Sequence, residues 1–132
     1  MDTNVKIILI VVAVFVLLFA IVLSSRSRIK RIYRKYLHVG NKNDLTGSQF
    51  ASLAIRNLKL ENVSLGVTDG ELVDAYSPKR RMLIMSRAVC DTASLASITI
   101  VAHELGHAVQ HKRNSPLFFM CMLFGKLTKF LN

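Results

Sequence analysis

Three side chains in the stretch ASITIVAHELGHAVQHKRN, residues 96–114, have types and a spacing suited to hydrolytic chemistry: His103, Glu104 and His107. Residues four apart on an α-helix share one face, about 6 Å apart along the axis, so both imidazoles can converge on one divalent ion. Zn²⁺ suits such nitrogens, at bond lengths of about 2.0–2.1 Å. Glu104 need not touch the metal, because a carboxylate beside it can take a proton from a zinc-activated water that attacks a peptide carbonyl. The pattern therefore predicts His103 and His107 as metal ligands, Glu104 as general base, Zn²⁺ as cofactor and a peptide or protein as substrate.

A third protein ligand is harder to place. His111 extends the ladder but lies eight residues, about 12 Å along the axis, from His103, beyond what a straight helix can close on one ion. It reads as a cation-capable residue at the helix C-terminus. The metzincin extension needs glycine at position 110 and histidine at 113, where the sequence has Gln110 and Arg113, so that class is excluded. Glu104 is the last acidic residue of the chain. A third ligand from within it would come from upstream, where His38, Glu71, Asp74 and Asp91 are candidates, each of which also reads as a turn, cap or surface residue. Gly106 costs a helix about 1 kcal/mol relative to alanine, which suggests close packing of a neighbour.

The elements that must position these residues follow from period and punctuation. From about Thr92 the residues Leu95, Ile98, Ala102, Leu105 and Val109 form an apolar stripe at helical spacing. That helix should stop near His111, Lys112 and Arg113, where cations meet the negative end of the dipole before Asn114 and Pro116. Upstream, Thr46-Gly47-Ser48-Gln49 has the form of a capping box opening a helix over about 47–58, with Phe50, Leu53, Ala54 and Leu58 as core positions. Between the two helices, alternation and turn signals predict a meander of three short strands, 63–67, 72–76 and 82–86. The fold class is α+β: a small zincin-like domain over 46–115 with a β-meander and a metal-binding helix. Cys90 and Cys121 read as ordinary thiols.

Residues 7–23 are apolar without interruption and cover roughly 25 Å as a helix, close to a hydrocarbon core. With Lys6 the only basic residue ahead of this run and no small-x-small cleavage site after it, residues 1–25 read as an uncleaved transmembrane anchor rather than a secretory signal. The net charge of +10 would ordinarily suggest nucleic acid. Instead Arg26, Arg28, Lys30, Arg31, Arg34 and Lys35 crowd directly behind the apolar run, within a juxtamembrane segment 26–45, where cations meet anionic lipid headgroups. No aromatic-basic platform for nucleic acid is present. The positive-inside rule places the rest of the chain at the cytoplasmic face of the cell membrane. Residues 116–132 form a hydrophobic C-terminal segment, interrupted by Lys126 and Lys129 before it could span a bilayer, and read either as a segment interacting with the membrane surface or as a hydrophobic helix cut short.

Taken together, the basic stretch with YRKY, the segments LTGSQFASLAIRNLKLENVSL and GELVDAYSPKRRMLIMS, and the helix AHELGHAVQ resemble the bacterial neutral zinc metallopeptidases of the YugP-like group, which are membrane proteins. The resemblance implies zinc ligation by His103 and His107, Glu104 as general base, and peptide-bond hydrolysis. Members of the group carry His and Asp where this sequence has Ala75 and Ser77. They also extend past the apolar segment that follows the zinc helix, so the chain corresponds to the N-terminal part of such an enzyme. Two other readings stand beside this one. The chain could be a relative that keeps the fold as a membrane-bound interaction module without proteolysis, or a basic membrane protein in which the motif is incidental.

Overall fold

The computed structural model describes residues 3–120 and 122–123. The chain divides into two compact units, 1–35 and 36–132. The first is nearly all one helix, α1 (Thr3–Leu37), whose N-terminal stretch Thr3–Ile21 has a mean hydropathy of 2.9 and is long and apolar enough to cross a membrane. Its apolar side chains from Val5 to Ile21 are exposed, and Phe15 and Phe19 are more than half bare, as expected of a surface whose solvent is not water. The helix runs without a break into the basic segment, so the cations from Arg28 to Lys35 ride on an extension of it.

The second unit is α+β, with α2 (Gly47–Asn57), β1 (Ser64–Thr68), β2 (Ala75–Ser77), β3 (Met82–Ser86), α3 (Arg87–Asp91) and α4 (Leu95–Lys112). The predicted capping box at α2 forms: the Gln49 backbone N–H donates to the Thr46 hydroxyl at 3.3 Å, and the Thr46 N–H donates to Gln49 Oε1 at 2.9 Å. Gly47, the first residue of that helix, is buried where a Cβ would run into the Val89 carbonyl of α3.

The sheet departs from the expected meander. Its order is β1-β3-β2, with β1 parallel to β3 and β2 antiparallel to it. Only β2 and β3 form a hairpin, closed by Pro78–Arg81 with Arg81 at φ 48°. The physical reason lies in β3 itself: Leu83, Met85 and Ser86 are fully buried, a burden only a central strand can carry, whereas β1 is mostly exposed. The second strand is also shorter and later than the predicted 72–76, because Asp74 leaves the ladder to bind Ser86. After β3 the chain makes the five-residue α3 before α4, a break that hydrophobic period alone does not reveal.

Helix α4 begins at Leu95, three residues after the expected start, and is capped by Ser94, whose hydroxyl accepts the Ser97 N–H at 3.1 Å. Its Val101, Leu105 and Ala108 are almost wholly buried and form one core with Leu83, Met85, Val89 and Ala51. The helix packs against α2 and α3 and runs beside β2. That last contact brings the sheet edge to the helix face bearing Glu104.

Candidate active site

His103 and His107 stand on one face of α4 with ring centroids 4.8 Å apart and planes at 84°. His103 is exposed and His107 half-buried. The Nδ1 of His107 lies 3.0 Å from Gln110 Oε1. An amide oxygen only accepts, so this contact calls for a proton on Nδ1, and in the neutral ring that tautomer offers the Nε2 lone pair to a metal. Neutral imidazole in a fixed tautomer is the form in which histidine binds zinc, and an acceptor behind it raises its basicity. Neither residue type nor spacing conflicts with zinc, and this pair is where it would be held.

Glu104, next to His103 on the same helix, reaches the edge of the sheet. Its Oε2 accepts the backbone N–H of Tyr76 at 2.9 Å, so the middle residue of edge strand β2 fixes the carboxylate. Burial pushes the Glu104 pKa above the ordinary glutamate value; the Tyr76 N–H and the nearby His103 and His107 pull it down, and Asp74 pushes it up. A carboxyl raised in this way is better matched to accepting a proton near neutral pH than a free glutamate is.

The upstream candidates for a third ligand do not join the pair. Asp74 is engaged elsewhere: Oδ1 accepts the Ser86 N–H at 2.6 Å, and the Ser86 hydroxyl lies 3.3 Å from Oδ2. His38, Glu71 and Asp91 are exposed. Among the described residues, no group of three or more His, Cys, Asp or Glu side chains is placed to hold a metal ion. Gly106 also departs from expectation, because a Cβ added there meets nothing within 4 Å among the described residues; no packing demand explains it.

Three participants escaped sequence reasoning. Gln110 is one, although its position three residues after His107 is the spacing at which helix side chains meet. His111 is another: it is more than a terminal cation, since its Nδ1 lies 3.0 Å from the Tyr76 hydroxyl. The third is Phe118, in the helical turn over 116–120. Its ring is 3% exposed, stacks on His111 at 5.2 Å and lies 6.2 Å from His107 and 6.4 Å from Tyr76. At least this part of the hydrophobic C-terminal segment packs on the site. Residues 121 and 124–132, on which the membrane-surface reading also rested, lie outside the described residues.

Two histidines one turn apart on a helix, beside a partly buried carboxylate braced by a strand edge, are residue types that could hold a metal ion and accept a proton. The family described as "Putative neutral zinc metallopeptidase" matches residues 8–130, and the chain belongs to that family. It is also 30% identical over 90 residues to the "Putative membrane protease YugP" of Bacillus subtilis (strain 168), a match covering 68% of this chain. The chain spans about 40% of the length of that relative. No solved structure matches it.

Proposed function

We propose that the chain is the metal-binding and proton-transfer part of a membrane-anchored zinc endopeptidase, with His103 and His107 as ligands and Glu104 as general base. The observation that carries this reading is the division of labour on α4. The two imidazoles stand one turn apart with His107 in contact with Gln110, while Glu104, close enough to feel both, is held by the Tyr76 N–H of the neighbouring strand. A zinc ion bound there supplies Lewis acidity to a peptide carbonyl and to water. The protein's own part is to orient the His107 ring through Gln110, to hold Glu104 where its second oxygen can accept a proton, and to cover His107 with the Phe118 ring. The family match and the name of the Bacillus subtilis relative support the same chemistry.

Helix α1 is proposed to anchor the chain as a single span, with Arg28 to Lys35 against anionic headgroups and the second unit in the cytoplasm. The lack of a three-ligand group among the described residues favours a second reading, a relative that keeps the fold as a membrane-bound interaction module without proteolysis. One experiment separates the two. The 132-residue chain in detergent, supplied with zinc, is expected to cleave a casein-type substrate, to lose activity with a chelator and to regain it with zinc. Glu104→Gln, which keeps an oxygen for the Tyr76 N–H, should reduce the rate by about 10²–10⁴-fold, the usual contribution of a general base. If the wild type cleaves nothing that Glu104→Gln does not, the enzyme reading is lost and the interaction module stands.

A further inference from the structure

Beyond Glu104 the same edge of the domain encloses a cavity of about 300 Å³, floored by Ala108 of α4 and walled by Tyr76, Arg81, His111 and Lys112. Ala108 lies four residues, about 6 Å along the axis, past Glu104, and an extended peptide advances about 3.3 Å per residue. The cavity is therefore one or two peptide residues away from the general base. Tyr76 joins the two places directly, with its backbone N–H on Glu104 and its hydroxyl 3.0 Å from His111 at the cavity wall.

The lining has a definite charge. Lys59, Arg81 and Lys112 face it against a single carboxylate, Glu61. The Lys112 ammonium is held in place, donating to the Lys59 carbonyl at 2.7 Å and to the Leu58 carbonyl at 3.4 Å. Among the described residues, the Arg81 guanidinium makes no ion pair, and its charge reaches the Tyr76 hydroxyl. Cations gathered around one concavity repel each other, a cost that an anion entering it would relieve. The guanidinium of Arg81, with the Lys59 and Lys112 charges beside it, is of the chemistry that pairs with a carboxylate.

We propose that this cavity is a carboxylate-recognition subsite, taking an acidic side chain or the free C-terminus of a peptide one or two residues from the bond presented to Glu104. The inference rests on the endopeptidase reading for the word peptide, and its test does not depend on turnover. The probe is the full chain carrying Glu104→Gln, in detergent, titrated with three fluorescent acetylated hexapeptides. One has an internal Glu and an amidated end, one has Gln at that position and a free end, and one has Gln and an amidated end.

At least one carboxylate-bearing peptide should bind about 10- to 100-fold tighter than the neutral one, the size of a charge-assisted hydrogen bond. Which one does so tells side chain from C-terminus. Adding Arg81→Gln should erase the preference. Adding Arg80→Gln, an exposed cation outside the cavity, should leave it intact. Because the Arg81 side chain is exposed and only its backbone serves the turn, the variant should melt with its parent, which separates lost recognition from lost fold. Equal binding of all three peptides overturns the proposal, as does a preference that survives Arg81→Gln. A wild type that never cleaves while this preference persists defeats the endopeptidase reading and leaves the subsite standing.

Discussion

Replacing Gln110 with alanine tests whether the histidine pair is built for a metal. In the native chain the Gln110 Oε1 sits 3.0 Å from Nδ1 of His107 and selects the tautomer that offers Nε2 outward. Removing the acceptor loses a hydrogen bond of about 1 kcal/mol and frees the ring to rotate, about another 0.5 kcal/mol. The sum corresponds to about a tenfold loss of zinc affinity, at the lower end of the 10–100-fold usually seen when such an outer partner is mutated. Fold stability should not fall with it, since Gln110 is half-buried on the last turns of α4 and alanine is the better helix former by a few tenths of a kcal/mol. The assay is competition for Zn²⁺ between the detergent-solubilised chain and a chromophoric chelator, read beside a melting curve of the metal-free protein. Gln110→Glu restores an acceptor, a charged one, and should bind zinc at least as tightly as wild type. If Gln110→Ala holds zinc as tightly as the native chain, or Gln110→Glu fails to recover what alanine loses, then the contact is incidental and the tautomer argument collapses.

Two further outcomes concern stability. The Glu104 pKa is raised in the fold, chiefly by burial, so its protonated form is the one folding favours: its contribution is fully present below the ordinary glutamate value and is lost as pH rises through the folded value. Metal-free Glu104→Gln should therefore melt above wild type at neutral pH, with the gap closing on acidification; a variant that melts lower at neutral pH would show that burial is not the dominant influence on this carboxyl. The glycines make a pair of opposite sign: Gly47→Ala must push the Val89 carbonyl aside and should cost about 1–3 kcal/mol in a urea titration, whereas Gly106→Ala meets open space and should gain up to about 1 kcal/mol of helix propensity.

What was legible in the sequence is what depends on neighbours within one or two turns. The Thr46–Gln49 box and the single face shared by His103 and His107 follow from i, i+3 and i+4 geometry, and both appear in the fold. The apolar stripe of α4 lies one position off the expected one: of Leu95, Ile98, Ala102, Leu105 and Val109 only Leu105 is buried, Leu95 and Ala102 are exposed, and the face that packs is Val101, Leu105 and Ala108, because the small Ala96, Ser97 and Ala108 let neighbouring elements approach there. The sheet did not yield in the same way. Apolar runs identify strands but say nothing of which lies in the middle, and a parallel β1–β3 pair is set by which strand can be buried on both faces. The bracing of Glu104 by Tyr76 spans 28 positions, and the Tyr76–His111 contact 35. Such contacts exist only once α4 has packed along β2, so no local pattern announces them. Gln110 was the exception, a local contact that could have been read from spacing alone.

The way Glu104 is held bears on how a peptide could approach it. An edge strand offers an outward N–H at every second residue, and these are the groups to which an added strand would pair. On β2 the outward N–H of Tyr76 is taken by Glu104, and Pro78, which opens the turn directly after the strand, has no N–H at all. The middle donor of this three-residue edge is thus withdrawn from strand addition, and the residue that follows the strand offers none. A peptide lying along it would have few main-chain donors to fix its register, so side chains or a terminus must do more of the orienting. The cation-lined cavity one turn past Glu104 is placed to supply that register. Restoring an edge donor is impossible without changing Pro78, which gives the argument its own test. A Pro78→Ala chain, with an N–H returned to the edge, should tolerate neutral peptides better than the native chain and so narrow the carboxylate preference measured in the same titration.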